Sequence, residues 1–240
     1  MPGQTVTSGI GWLGWAALAV RYRLPSRRLE QVCSPESAVE PGELITEDAC
    51  MAPYRDNLPH DDLGAVLRIA RSLRPRLMFE IGTAHGNLTA NLLKTCDGAR
   101  MITVNAPADE MTGEITTFSL KPDEIGRVYR KYGMASRVEQ LFINSLDLDA
   151  DALGLSNCVD LAIVDGCHDT DFVINDFRKI QGAVRPGGIV LMHDTHPSQQ
   201  GHLKGSYRAC LVLRKHGEDI RWIRGTWWGY WRKPGAAEAE

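Results

Sequence analysis

The sequence has no hydrophobic run long enough to cross a membrane. Its longest apolar run covers only residues 10–20, whereas the hydrocarbon core of a bilayer requires about 20 consecutive residues. No Lys or Arg precedes this run, so it lacks the charged start of a secretory signal. We expect a short helix that docks on the body of the protein, on a partner subunit, or over a site as a lid. Interfacial membrane contact without stable insertion is the alternative, through Trp12, Trp15, Arg21 and Arg23.

The sequence also lacks a surplus of positive charge and a recognisable cysteine motif. Lys+Arg number 27 against Asp+Glu 30, a formal net charge of -3. Proteins that hold nucleic acid through its phosphates usually carry a basic surplus, so no nucleic-acid partner is expected. None of the 6 cysteines has zinc-ligand or redox-motif spacing. Reduced thiols throughout predict a cytoplasmic location.

Residues 1–60 have no sustained periodicity, while helical and strand patterns alternate from residue 61 onward. We expect an N-terminal extension over residues 1–60, with a lid at 51–59 or a dimer contact, then a domain over 61–233 and a disordered tail over 234–240. Alternation predicts an α/β fold whose parallel sheet is covered by helices on both faces. Strands are predicted at 77–81, 101–104, 138–143, 159–164 and 189–192, with a helix opened by Pro122, a turn at 185–188, and a final hairpin of 220–223 and 227–231.

A glycine-rich turn follows the first predicted strand. Its spacing is Glu-x-Gly-x-x-x-Gly, from Glu80 through Gly82 to Gly86. The glycines permit a tight turn and close approach of a ligand to the backbone, and the helix that follows offers free N–H groups. Ala84 replaces the second glycine of a dinucleotide fingerprint, which favours a smaller nucleoside ligand. A simple strand-to-helix turn is the alternative.

Carboxylates and imidazoles follow two later strands. Asp165 and His168 come after residues 159–164, and His193 and Asp194 come after residues 189–192. Because parallel strands end at the same edge of a sheet, these side chains are expected to converge. A hard divalent ion suits the two aspartates, while either histidine would favour a softer metal or act as a base. For each residue taken alone, the alternative is a helix N-cap or a hydrogen-bonded polar turn.

These motifs carry a resemblance. The turn at 79–86 resembles the first motif of class I S-adenosylmethionine-dependent methyltransferases. The Asp-Gly-x-His turn at 165–168 and the His-Asp turn at 193–194 resemble a subgroup with bacterial small-molecule and sugar O-methyltransferases. The resemblance covers roughly residues 62–232. It implies a Rossmann-like doubly wound sheet of seven strands, mostly parallel with the last strand antiparallel, and S-adenosylmethionine as cofactor.

The resemblance also implies roles for individual residues. Those expected to bind the cofactor are Glu80, Gly82, Thr83, His85, Gly86, Asn105 at the ribose, Asn144 or Ser145 near the adenine, and Asp165. Asp165 and Asp194 match the metal-ligand positions of related metal-dependent members, and His193 stands where several members have a carboxylate. Asp165 or His168 is expected as the catalytic base, with His193 in reserve for the base or the metal. Mg²⁺ or another divalent cation is the expected ion.

The predicted function is O-methylation of a small-molecule hydroxyl, on a natural product or a sugar, by a bacterial enzyme that forms a homodimer. The alternative is a protein that keeps the fold but binds a ligand, or catalyses a cyclisation or hydroxylation, without transferring a methyl group. Hydrolysis by Cys167 and His168 is disfavoured, because adjacent turn residues usually point apart. Trp227 and Trp231 are expected on one face of the final hairpin, as core packing, as a wall of the acceptor pocket or as a dimer patch.

Overall fold

The structure is a computed structural model that describes residues 7, 9–37, 39, 44–45, 62–107, 120–199 and 201–235. The expected lid at 51–59 lies outside the described residues, as does all of the expected tail beyond residue 235. The proposed boundaries between extension, domain and tail therefore stay predictions.

The described residues form a mixed sheet flanked by helices. Its elements, in chain order, are α1 (Trp12–Arg21), β1 (Ser26–Arg27), α2 (Asp62–Leu73), β2 (Leu77–Ile81), α3 (Asn87–Thr95), β3 (Arg100–Asn105), α4 (Arg127–Lys131), β4 (Val138–Phe142), β5 (Val159–Val164), α5 (Thr170–Gln181), β6 (Val184–Met192), α6 (Lys204–Lys215), β7 (Arg221–Ile223) and β8 (Gly229–Arg232). Short 3₁₀ turns occur at Leu29–Gln31, Pro35–Ser37, Ala135–Arg137, Ser145–Asp147 and Gly201–Leu203.

The strand order is β1-β7-β8-β6-β5-β2-β3-β4 in one 8-stranded sheet. Strand β8 runs antiparallel to both of its neighbours, and every other pair is parallel. The predicted fold, mostly parallel with the last strand antiparallel, is confirmed. The predicted count of seven strands is wrong by one, because two residues of the N-terminal region pair with β7, with Ser26 opposite Trp222.

Alternation along the strands divides the core into two layers. Phe79 packs with α5 and α6 on one face of the sheet, while the adjacent Met78 packs with α2 and α3 on the other. Both side chains are fully buried. This is the period of two that a strand imposes on its side chains, and it explains why strands covered on both faces read as continuous apolar runs.

Three local predictions are corrected. The turn expected at residues 185–188 lies inside β6, where a register shift opposite Val159 and Leu161 accommodates the proline within the strand. The helix expected from Pro122 begins only at Arg127, and the preceding residues form turns. Trp227 precedes β8 rather than lying within a hairpin strand, so it does not share a strand face with Trp231.

Helix α1 lies against α6, with the guanidinium carbon of Arg208 4.8 Å from the ring centroid of Trp15. Leu18 also packs on the main core, whereas Trp12 and Val20 are 78% and 84% exposed. The short docking helix predicted for this run is therefore present on the body of the protein. Within the described residues, no helix is both long and apolar enough to span a membrane.

Candidate active site at the carboxyl ends of the central strands

The turn between β2 and α3 is built by two glycines with positive φ angles, Gly82 at 105° and Gly86 at 80°. A Cβ atom on Gly82 would lie 2.0 Å from the carbonyl oxygen of Asp165, and one on Gly86 would lie 2.7 Å from the ring of Tyr129. Backbone contact at these distances is possible only without a side chain. The glycine loop, residues 82–86, therefore sits directly against the chain that follows β5.

Neighbouring elements hold the glycine loop from two sides. The Ala84 N–H donates to the side-chain carbonyl of Asn105 at 3.1 Å, and Asn105 donates its amide to the Ala106 carbonyl at 3.0 Å. On the other side, the backbone N–H groups of Gly126 and Val128 donate to the carbonyls of Ala84 and His85. These bonds explain why α4 starts late, since the turns before it are used to hold the loop.

Beneath the loop lies a buried network of hydroxyls around one carboxyl group. A single oxygen of Glu80 accepts from the hydroxyls of Thr89 at 2.5 Å and Thr103 at 2.6 Å. Thr103 also bonds Thr83 at 2.7 Å, and Gln140 donates to Thr83 at 3.0 Å. Burial raises the pKa of Glu80 to about 7, although both threonine bonds oppose the shift. Of the predicted cofactor residues, Glu80 and Thr83 thus support the loop from below.

The residues after β4 lie beside α5. Asn144 accepts from the Leu146 N–H at 3.1 Å and so caps a short turn. Asn175 donates to the Ser145 carbonyl and to Asp176, at 3.2 Å each. Asp176 is fully buried, and burial raises its pKa to about 6 against the hydrogen bonds from Ser145 and Asn175. The predicted adenine residues therefore border a second buried carboxyl group.

The carboxylates and imidazoles predicted to converge do lie together. His168 Nε2 is 3.0 Å from Asp194 Oδ2 and 3.7 Å from Asp165 Oδ1. His193 Nδ1 is 3.2 Å from Asp165 Oδ1 and 3.6 Å from Asp194 Oδ2. We call these four residues the strand-end cluster. Asp165 is partly exposed, so solvent and a substrate can reach the cluster, while Asp194 is buried.

The charges of the strand-end cluster support one another. Burial opposes ionisation of Asp165, but the two neighbouring imidazoles outweigh it and hold the pKa of that carboxyl well below its usual range. Burial likewise opposes charge on His168, but the two carboxylates outweigh it and raise its pKa to about 9. At His193, too, the neighbouring carboxylates outweigh burial, so its pKa lies well above the ordinary value. The cluster is therefore a site where positive charge is strongly favoured.

The donor set of the cluster fits a divalent cation. Ligand atoms of Asp165, His168 and Asp194 all lie within 4.8 Å of one another. Two carboxylates and an imidazole suit a divalent ion of intermediate softness, such as Mn²⁺ or Zn²⁺, as well as Mg²⁺ with additional water ligands. This group includes His168 and not His193, which the resemblance placed among the metal ligands. The roles of both histidines stay predictions.

Two neighbours of the cluster were not identified from the sequence as site residues. Gln199 donates to Asp194 Oδ1 at 2.6 Å. Asp62, the first residue of α2, lies 3.4 Å from His193 Nε2. Nothing in the spacing of Asp62 relates it to a residue so distant in the chain. Asp194 itself has a φ of 55°, and backbone strain of this kind is concentrated at functional sites.

The tryptophan-rich end divides into two environments. Trp231 packs edge-on against Phe177, with ring centroids 5.4 Å apart, and belongs to the core. The rings of Trp228 and Trp227 lie 4.3 and 6.2 Å from that of His193. Trp228 is buried and Trp227 is half-buried, so Trp227 is the more accessible of the two tryptophans beside His193.

Cys167 stands between Asp165 and His168 in sequence but lacks the properties of a nucleophile. Burial is the largest influence on its thiol and raises the pKa to about 11. A reactive cysteine requires a lowered pKa that favours the thiolate. This agrees with the expectation that hydrolysis by Cys167 is disfavoured.

The fold and the glycine loop define a class I methyltransferase architecture, and comparison with known proteins agrees with it. Residues 79–195 match a family model described as a methyltransferase domain. No curated protein sequence matches the chain. The match confirms the resemblance drawn from the sequence. Over residues 79–195 the chain is therefore similar to a methyltransferase domain.

Several solved structures share the fold. A Staphylococcus aureus protein described as a caffeoyl-CoA O-methyltransferase has a TM-score of 0.55 at 12% identity, covering 75% of this chain and 86% of that one. The O-methyltransferase TomG from Streptomyces achromogenes, involved in tomaymycin synthesis and solved with S-adenosylmethionine, has a TM-score of 0.51 at 19% identity, covering 71% and 78%. A Bacillus cereus O-methyltransferase, solved with S-adenosylhomocysteine, has a TM-score of 0.50 at 17% identity, covering 75% and 82%.

Proposed function

We propose that this protein transfers a methyl group from S-adenosylmethionine to a hydroxyl of a small molecule. One observation carries the proposal: the glycine loop and the strand-end cluster are in backbone contact, because Gly82 lies against the carbonyl of Asp165. A cofactor on the loop and an acceptor at the cluster would therefore be neighbours. Methyl transfer requires such an arrangement, since catalysis depends mainly on aligning two bound molecules for an in-line displacement.

The cofactor side of the site would use backbone groups and neutral side chains. Gly82 and Gly86 leave room for the ligand, Asn105 at the end of β3 would face the ribose, and Asn144 or Ser145 would border the adenine. S-adenosylmethionine supplies an electrophilic methyl group on a sulfonium. The contribution of the chain is to hold this group toward Asp165, with Glu80 and Thr83 stabilising the loop beneath it.

The acceptor side would use the strand-end cluster. Asp165, His168 and Asp194 would hold a divalent cation, with His193 beside them. Such a cation supplies Lewis acidity that lowers the pKa of a hydroxyl. Asp165 is the partly exposed member of the cluster, so it is the carboxylate that an acceptor hydroxyl can reach directly. His168 holds its own proton at neutral pH in the ion-free cluster because its pKa is raised to about 9.

The half-buried ring of Trp227 would form one wall of the acceptor pocket, since it lies next to His193. An aromatic wall beside a charged cluster suits a ring-bearing natural product or a sugar. We further propose that the enzyme works in the cytoplasm, as a dimer, on a small-molecule acceptor rather than a nucleic acid. The resemblance and the sequence composition support these assignments.

The test is calorimetric titration of the protein with S-adenosylmethionine, before and after exhaustive chelation, followed by a transfer assay on a panel of hydroxylated acceptors with Mg²⁺, Mn²⁺ and Zn²⁺ added back. We expect cofactor binding with or without the ion and methyl transfer only with it. Binding without transfer to any acceptor would favour the alternative, a protein that keeps the fold for another task. Undiminished transfer after chelation would leave an acid–base site without a metal.

A further inference from the structure

Helix α1 is apolar around its whole circumference. Its inner side packs on the main core through Trp15, Leu18 and Ala19. Its outer side is exposed and also apolar, and we call it the outer stripe; at about 100° per residue its members fall together, and they are Trp12, Leu13, Ala16, Ala17 and Val20. Arg21, the last residue, is the only charged side chain of α1. A helix that is apolar on every side is normally buried, so the outer stripe has the character of a covered surface.

Helix α1 is fixed to the body of the protein at both ends. Before the helix, the Thr7 hydroxyl donates to Asp171 Oδ1 at 3.0 Å. After it, the Tyr22 carbonyl accepts from Arg214 Nε at 3.2 Å. These two bonds tie the helix to α5 and α6. The outer stripe is therefore held away from the body, where a partner can reach it.

The segment around α1 carries charge of a single sign. Residues 1–29 contain four arginines and no Asp or Glu, although the whole chain has a formal net charge of -3. Arg21, Arg23 and Arg28 are exposed. Positive charge concentrated in one segment attracts an anionic surface. The outer stripe is thus followed directly by charge of the sign that complements an anionic partner.

We propose that the outer stripe docks on an anionic lipid surface, on which the protein lies without spanning it. Trp12 and Val20 enter the boundary between headgroups and acyl chains, and Arg21 and Arg23 face the anionic headgroups. Interfacial helices bind by this combination of buried apolar area and attraction to anionic lipids. The cytoplasmic leaflet carries such lipids, and each Lys or Arg near it strengthens binding about fivefold. This docking does not depend on methyl transfer.

A second copy of the chain suits the outer stripe less well than a lipid surface does. Helix α1 has only 10 residues, and its outer stripe offers three large side chains and two alanines. A standard stable interface buries about 800 Å² of each partner, which is more than this stripe can supply. Lipid chains adapt to the side chains that they cover, so lipid binding requires neither that area nor a matching shape.

The first experiment is sedimentation of the full-length protein with vesicles of phosphatidylcholine and phosphatidylserine in equal amounts, and with vesicles of phosphatidylcholine alone. We expect stronger binding to the anionic vesicles. Leu13→Asn should weaken this binding about tenfold or more, because a leucine is lost from the lipid contact. Leu146→Asn is the matched control, since Leu146 is also an exposed leucine but follows β4, at the opposite edge of the sheet from β1. Failure to bind the anionic vesicles would overturn the proposal.

A charge variant tests the role of the arginines. Arg21→Gln combined with Arg23→Gln should weaken binding to the anionic vesicles about 25-fold. The control combines Lys94→Gln with Arg100→Gln, which removes two exposed positive charges from α3 and β3. Helix α3 covers the opposite face of the sheet from α6 and α1, so the control should bind like the parent. Equal binding of the parent to anionic and neutral vesicles would overturn the proposal.

A fluorescence measurement identifies the part of the protein that meets the lipid. Acyl chains that carry bromine quench a tryptophan inserted among them, so part of the emission of the vesicle-bound parent should be lost. Trp12→Phe keeps an apolar ring and should stay bound, but this quenching should disappear. Quenching that is unchanged in Trp12→Phe would overturn the proposal. So would a dimer that Leu13→Asn converts to a monomer in sedimentation velocity without any vesicle binding, because the outer stripe would then join two copies.

Discussion

The glycine loop and the strand-end cluster lie side by side at one edge of the sheet, but they consist of different chemical groups. The loop consists of backbone groups supported by hydroxyls, and the carboxyl group beneath it, Glu80, is buried with a pKa raised to about 7. The cluster consists of two carboxylates and two imidazoles, and its Asp165 is held in the ionised form. One region avoids charge and the other concentrates it.

Under the proposed function, the two regions have separate tasks. Neutral groups and glycine backbone select a ligand by shape and hydrogen bonds, which is what a nucleoside cofactor needs. Concentrated charge in a partly enclosed site stabilises a cation or moves a proton, which is what activation of a hydroxyl needs. Substitutions in the glycine loop should therefore leave cation binding by the cluster intact, and substitutions in the cluster should leave cofactor affinity intact, except where the two regions are in contact.

The largest effect is expected at that contact. Gly82→Ala would place a Cβ 2.0 Å from the Asp165 carbonyl, so both the loop and the cluster must move. We expect loss of measurable cofactor binding and of turnover. Gly98→Ala is the control, because Gly98 also has a positive φ, of 76°, but nothing lies within 4 Å of its Cβ position. Gly98→Ala should cost only about 1 kcal/mol of stability. Cofactor titration and thermal melting measure both. Normal affinity in Gly82→Ala would show that the cofactor binds elsewhere.

The next largest effect should be confined to the cluster. Asp194→Asn keeps the side-chain shape, and asparagine tolerates the left-handed backbone at this position, but the charge is lost. Turnover should fall by more than the 10–100-fold that is typical when a residue that only orients a metal ligand is lost. Cofactor affinity should change little. Asp151→Asn, in an exposed turn, is the control. A matching loss of cofactor affinity in Asp194→Asn would contradict the division between the two regions.

A smaller effect concerns two buried carboxyl groups, Glu80 beneath the glycine loop and Asp176 beside the residues that follow β4. A raised pKa means that stability is greatest while the group is protonated and falls as pH rises. For Asp176 the fall spans the ordinary pKa of 3.8 and the folded value of about 6, and at about 1.4 kcal/mol per unit it amounts to about 2–3 kcal/mol. For Glu80 the fall extends from 4.5 to about 7.

Asp176→Asn should remove only the fall in stability caused by Asp176, and Glu80→Gln only the fall caused by Glu80. The free energy of unfolding, measured with denaturant at several pH values, should therefore diverge from that of the parent over different pH windows in the two variants. The difference for Glu80→Gln should still grow between pH 6 and 7, where that for Asp176→Asn has levelled off. Parallel pH curves for parent and variants would refute the raised pKa values.

The smallest effect is expected at Asn105. A carboxylate in Asn105→Asp still accepts from the Ala84 N–H, with added strength from its charge, but it loses the bond to the Ala106 carbonyl. Because these changes oppose each other at roughly 1 kcal/mol each, cofactor affinity should shift by less than about fivefold. Titration of the variant with S-adenosylmethionine measures the shift. A loss of more than tenfold would mean that the amide donates a bond that the cofactor requires.

Features that are determined by neighbouring residues could be predicted from the sequence, and features that depend on contacts between distant residues could not. The bounds of β2 and β5 match the sequence prediction because both strands are apolar on both faces and end at a turn residue. The convergence of Asp165 and Asp194 follows from the parallel sheet alone. The two-residue β1 has too little pattern to detect, and the contact of Asp62 with His193 joins positions 131 residues apart. Such contacts depend on tertiary packing that no local periodicity encodes.

We propose that the cofactor binds at the glycine loop and that the acceptor reacts at the strand-end cluster. The most direct test is a crystal structure of the full chain with S-adenosylhomocysteine and Mn²⁺, with anomalous scattering used to locate the ion. We expect the cofactor product against Gly82–Gly86, with its sulfur toward Asp165, and a manganese peak between Asp165 and Asp194. A cofactor bound away from the glycine loop, or a manganese peak away from these two aspartates, would contradict it.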